Sequence, residues 1–143
     1  LLIAAFATLA VGEKPPIYPL DLDLFSENTA EEVASLLREE GWEVEIAEDN
    51  LSLDASRDGA TLALGWLEVT YLRDVTYTEH WDDAWECKDR FTEWVDWYTL
   101  MNGKSMVDSE TFHYWNLPGL EVWFEITETG GGAATLTCSL TYL

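Results

Sequence analysis

Positive charge is what this chain has least of. Seven Lys and Arg stand against twenty-eight Asp and Glu in 143 residues, a formal net charge of −21 and a pI near 4.1. Such a field repels phosphate backbones and anionic lipid, so direct nucleic-acid binding is excluded as a working reading. It favours basic partners, bound cations or simple solubility. Apolar runs are short as well. The longest, residues 1–11, falls well below the roughly 20 residues that a membrane span needs. The cysteines, Cys87 and Cys138, form no Cys-x-x-Cys pair, which leaves out a thioredoxin-like site and a zinc cluster. Gly130-Gly131-Gly132 is not followed by a helix, so it makes a bend rather than a phosphate cradle. No Ser, His and Asp spacing marks a nucleophile: His80 begins the second expected helix and His113 lies in an aromatic strand, both read as structural.

What is present is an ordinary globular composition, 48% hydrophobic with eight Trp. That is enough for one packed domain without metal or dense disulfides. Residues 1–16 read as an apolar N-terminal strand with a Pro15-Pro16 linker, and residues 17–143 as a single α+β domain. Residues 17–25 alternate as a half-buried strand, with Leu20, Leu22 and Leu24 opposite Asp21 and Asp23. Residues 28–41 read as a helix, with Thr29 and Glu32 as a capping box, Val33, Leu36 and Leu37 inward, and Gly41 as the stop. Three strands are expected next, at 42–46, 51–55 and 60–72, the last with a bulge near Gly65. A second helix is expected over 76–103, with Thr76 and Glu79 as another capping box and Ala84, Cys87, Phe91, Trp94, Val95, Tyr98 and Met101 inward. Residues 111–115 read as a strand. A closing hairpin follows, with Leu120, Val122, Phe124 and Ile126 facing Ala134, Leu136, Cys138, Leu140 and Tyr142. The expected fold is an antiparallel sheet with two helices on one face, in the order β-α-βββ-α-βββ plus the apolar N-terminal strand.

The candidate sites follow from this layout. Residues 1–11 are continuously apolar and sit at a terminus behind a stiff spacer, the arrangement by which one molecule donates a strand to another. Leu1, Ile3, Phe6, Leu9 and Val11 would fill the acceptor's pockets, and a head-to-tail contact of this kind builds filaments. On the second helix, Asp82, Glu86, Asp89, Glu93 and Asp96 share one face, with Trp97 at its edge. That face suits an inhibitor or nucleic-acid mimic that occupies a basic cleft. Cys87 and Cys138 both point inward and form a disulfide candidate. Asp54, Ser56 and Asp58 open like a calcium loop, but their flanks read as strands, so a hairpin turn is preferred and no cofactor is expected. Asn50-Leu51-Ser52 is a glycosylation sequon in a turn. The functional expectation is a non-enzymatic, secreted or cell-surface acidic domain that acts through protein contacts and self-assembles by strand donation. The alternative is a soluble acidic inhibitor or immunity-type protein with a basic partner.

Overall fold

The computed structural model describes residues 27–143. The apolar N-terminal strand, the linker boundary at residue 16 and the strand expected at 17–25 lie outside the described residues. Helix α1 spans Ala30–Glu39 and is followed by strands β1 (Glu43–Ile46), β2 (Ser52–Arg57), β3 (Ala60–Glu68) and β4 (Tyr71–Trp81). Helix α2 spans Ala84–Asn102 and is followed by β5 (Val107–Asp108), β6 (Phe112–Leu117), β7 (Leu120–Gly130) and β8 (Ala133–Tyr142). All eight strands join one antiparallel sheet in the order β1-β2-β3-β4-β8-β7-β6-β5. The protein is therefore α+β with a mostly antiparallel sheet of eight strands and two helices. A helix followed by four strands occurs twice, and the two units meet where β4 pairs with β8.

This differs from the expected elements in three places, one of them β5, a two-residue strand that was not expected. The run 60–72 is two strands, because the chain turns at Val69-Thr70; the bulge expected near Gly65 is present as a register shift at Gly65/Trp66. Residues 76–81 are strand, not helix. Val75 and Tyr77 are buried, Thr76 and Thr78 point the other way, and residues 74–81 pair with 134–141. The period-two alternation of β-branched and aromatic side chains outweighs the Thr76…Glu79 spacing. The real N-cap of α2 is Asp83, whose carboxylate accepts from the backbone of Trp85 at 2.8 Å and Glu86 at 3.3 Å. The C-terminal stop is Gly103 at φ +81°, a conformation that costs a side-chain residue but not glycine.

The α1 cap is as expected: Thr29 Oγ1 accepts from the Glu32 N–H at 3.2 Å. Its buried stripe is Ala30, Val33, Ala34 and Leu37, with Leu36 turned toward solvent. The closing hairpin also pairs as expected, Val122 opposite Leu140, Phe124 opposite Cys138 and Ile126 opposite Leu136.

Register lines up two buried rows across the sheet. One runs Leu53, Leu64, Val75, Leu140, Val122, Trp115; the next runs Ala55, Leu62, Tyr77, Cys138, Phe124, His113. Facing partners in an antiparallel sheet share a face, so both rows belong to one core surface. Over the second row lie the rings of α2. Trp94 is 5.8 Å from both Tyr77 and Phe124, Tyr98 is 5.2 Å from Phe124 and 4.9 Å from Trp115, and Phe91 is 5.7 Å from His113. Two indoles tie helices to strands: Trp66 Nε1 donates to the Asn28 carbonyl at 3.0 Å, and Trp115 Nε1 to the Gly103 carbonyl at 2.8 Å.

Candidate functional site

Three surface depressions border α2, one of them beside Trp85 and the Gly130–Gly132 bend; the other two gather most of the polar groups. The first is a groove between the outer side of α2 and the end of β4. Glu79, Trp81, Glu86, Asp89, Arg90 and Glu93 line it. Because β4 ends as a strand, Glu79 projects to the helix side of the sheet. There its carboxylate accepts from the Tyr77 hydroxyl at 2.8 Å and from Trp81 Nε1 at 3.1 Å. Arg90 stands 3.7 Å from Glu79 and 3.5 Å from Glu93, with its guanidinium 5.6 Å from the Trp94 ring centre. Burial, then the charge of Glu79 and its hydrogen bond, push the Tyr77 hydroxyl well above its ordinary range. Burial first, and Glu79 second, push the Cys87 thiol up to about 11.

The residues expected on the acidic helix face divide accordingly. Glu86, Asp89 and Glu93 line this groove, and Asp96 is exposed further along the helix. Asp82 is exposed but precedes the helix. Trp97 is a correction: it is buried at 8% exposure, not an edge residue of the acidic face. The spacing 94, 97, 98 is the i, i+3, i+4 pattern of an inward face, and a wide aromatic core takes in all three. The exposed tryptophan is Trp85, at 77%, with the Lys88 ammonium 5.8 Å from its ring centre. Met101, expected inside, is 56% exposed.

The second depression is a cleft of about 460 Å³ between α2 and the β5–β6 end of the sheet. Phe91, Thr92, Val95, Asp96 and Thr99 come from the helix, with Lys88 at its N-terminal end; Lys104, Ser105, Asp108, Ser109, Glu110 and His113 form the other wall. His113 ends the second buried row of the sheet, opposite Asp108 on β5. Its Nδ1 lies 3.0 Å from Ser105 Oγ and 3.6 Å from Asp108 Oδ1, and its ring stacks on Trp115 at 5.9 Å. Both oxygens address the same ring nitrogen. A nucleophilic triad needs the serine on one nitrogen and the carboxylate on the other, so this is not one. The three positions lie within nine residues of sequence, but β5 has two residues and leaves no periodic trace. Sequence reasoning therefore took His113 as an isolated structural residue.

The remaining expected sites fall elsewhere. Leu1, Ile3, Phe6, Leu9 and Val11 lie outside the described residues. Cys87 and Cys138 are buried free thiols, which corrects the disulfide expectation. The α2 residue over the Tyr77, Cys138, Phe124 row is Trp94. Asp54 and Ser56 point outward from β2, while Asp58 and Gly59, at φ +47° and +80°, form the two-residue turn of the β2–β3 hairpin. Among the described residues, no group of three or more His, Cys, Asp or Glu side chains is placed to hold a metal ion. No helix among them is long and apolar enough to cross a membrane. Comparison with protein-family models, curated proteins and solved structures finds no match.

Proposed function

We propose that this is a non-catalytic domain that works through protein contacts, and that its contact surface is the outer side of α2 with the acidic groove beside it. The observation that carries this reading is Trp85. A side chain of that size, 77% exposed beside Glu86 and Asp89, is costly to leave in water and is an anchor for a partner. Burying it recovers on the order of 2–3 kcal/mol. The partner is basic. The net charge of −21 steers such a molecule, and Arg90 already displays how the groove receives a guanidinium, between Glu79 and Glu93 and over an indole ring. In this reading both helices cover the same face of the sheet, which leaves the acidic side of α2 to solvent. The single core surface formed by the two buried rows supports that placement.

The test uses an arginine-rich amphipathic peptide as probe, titrated by calorimetry at low and at physiological salt. Trp85→Ala weakens binding about tenfold. Joint neutralisation of Glu86, Asp89 and Glu93 to Gln and Asn flattens the salt dependence. If Trp85→Ala binds as well as the parent, the attraction is only the general field of an acidic protein and the reading fails. The inhibitor or immunity-type alternative uses this same surface.

Self-assembly by donation of residues 1–11 extends the proposal, with the outer strands β1 and β5 as acceptor edges and a secreted or cell-surface setting. The exposed turn position of Asn50, within its sequon, supports that setting. Light scattering on the chain with and without residues 1–11 decides the extension. Assembly is lost on deletion and restored by the free peptide; an unchanged size ends it.

A further inference from the structure

The cleft between α2 and the β5–β6 end of the sheet is a second site, and nothing about it depends on the acidic groove. Three properties restrict what it can hold. The first is its charge. Lys88 and Lys104 are the two lysines among the described residues, and both border this cleft. Neither makes an ion pair within 4 Å among the described residues, although Asp96, Asp108 and Glu110 share the walls with them. A plain cation would bind as well at many other places on so acidic a surface, and would gain nothing from two lysines. A plain anion would have to enter against the field of the whole molecule and of three nearby carboxylates. A ligand that carries both signs of charge uses both sets.

The second property is His113. It is only 9% exposed, and its ring is fixed through Nδ1 by Ser105 and Asp108 and through stacking on Trp115. No hydrogen-bond partner among the described residues falls on Nε2. In the tautomer that carries the proton on Nδ1, toward Ser105 Oγ and Asp108 Oδ1, Nε2 is an acceptor open to a ligand's donor. The third property is the floor. Phe91 and Val95 supply an apolar stretch, and 460 Å³ lies within the range of about 300–1,000 Å³ usual for small-molecule sites.

The geometry points to a small zwitterion, a free amino acid or a dipeptide, as the ligand of this cleft. Its ammonium donates to His113 Nε2 among the carboxylates, its carboxylate meets the lysines, and its side chain lies on Phe91 and Val95. The buried imidazole gives orientation, while the paired charges on the rim separate a zwitterion from molecules bearing only one of its charges.

The experiment is calorimetry on the full chain with the complete set of proteinogenic amino acids and their alanyl dipeptides. For each zwitterion that binds, the N-acetyl analogue removes the ammonium and the amide removes the carboxylate. At least one zwitterion binds at a single site with a Kd of about 1 mM or tighter, and each singly charged analogue binds about tenfold more weakly or worse. The double substitution Lys88→Gln/Lys104→Gln, at exposed positions that leave the core untouched, weakens the zwitterion about tenfold and leaves the amide unchanged. His113→Gln, which keeps a polar acceptor but loses the fixed ring, weakens the zwitterion and the amide alike. The proposal is overturned if no zwitterion reaches that affinity, if the analogues bind equally well, or if the lysine substitutions change nothing. Joint neutralisation of Glu86 and Glu93 in the acidic groove, neither of which lines this cleft, leaves this binding intact, so the two sites fail or survive separately.

Discussion

The two halves of the sheet solve the same architectural problem with different materials. In the first unit, the ten-residue helix α1 buries Ala30, Val33, Ala34 and Leu37, and the chain after it buries Leu53, Ala55, Leu62 and Leu64 together with Trp42 and Trp66, a mainly aliphatic set. In the second, the nineteen-residue helix α2 buries Phe91, Trp94, Trp97 and Tyr98 against His113, Trp115 and Phe124. Branched aliphatic chains close up on a short helix and leave little room. Large flat rings bury more area per residue, but they meet at fixed angles and bring polar atoms with them. The two depressions beside α2 described above lie in or beside the aromatic half, while those on the first half are lined by the exposed ends and outer faces of its strands. The difference teaches that here chemical opportunity follows from how the core is filled.

Substitutions can sharpen or break that contrast, and urea denaturation reads them all. The largest loss is expected for Phe124→Ala, which empties the centre of three ring contacts and costs about 3–5 kcal/mol. Leu37→Ala in the aliphatic half costs about 2–3 kcal/mol, and equal losses at the two positions would remove the distinction. Next come the indoles. Trp115→Phe strands the Gly103 carbonyl and costs about 1–3 kcal/mol. Trp94→Phe is expected to be close to neutral, because Trp94 Nε1 is buried with no partner among the described residues. A larger loss at 94 than at 115 would contradict the assignment of these two nitrogens. Asp83→Ala removes the α2 cap for about 1 kcal/mol, as Thr29→Ala does at α1.

A further effect is the dependence on alkaline pH. The Cys87 thiol rises from 9.0 in the open chain to about 11 in the fold, so the folded state holds its proton the more firmly. Its contribution is complete below pH 9 and is lost as pH climbs toward 11. Cys87→Ala should flatten that decline, without abolishing it, since burial raises Cys138 in the same direction.

The legible parts of the fold were those written locally. Thr29 and Glu32 announce a helix start within four residues, and the 120–142 hairpin carries an unbroken period of two. Thr76 and Glu79 show the limit of such signals. The same spacing occurs in a strand whenever threonine and glutamate flank an alternating pair, and only pairing with β8 decides between them. Trp97 was misplaced because the expected stripe was drawn too narrow for a core of this width. The cleft was not legible at all: Ser105, Asp108 and His113 meet only because two residues of β5 pair with β6. A strand of that length has no period to detect.

The seam between the units has a consequence for the nascent chain. Strand β4 pairs with β3 as soon as its hairpin forms, but its other edge waits for β8, some sixty residues later. Until β8 is synthesised and docked, Val75 and Tyr77 have no cover on that side, and the backbone between them offers free donors and acceptors to any passing strand. Arg73 and Asp74 stand at the start of the strand, where charges discourage mispairing between ribosome-bound copies. Folding of this protein is thus a matter of timing at one joint, and its yield depends on how quickly the second half arrives.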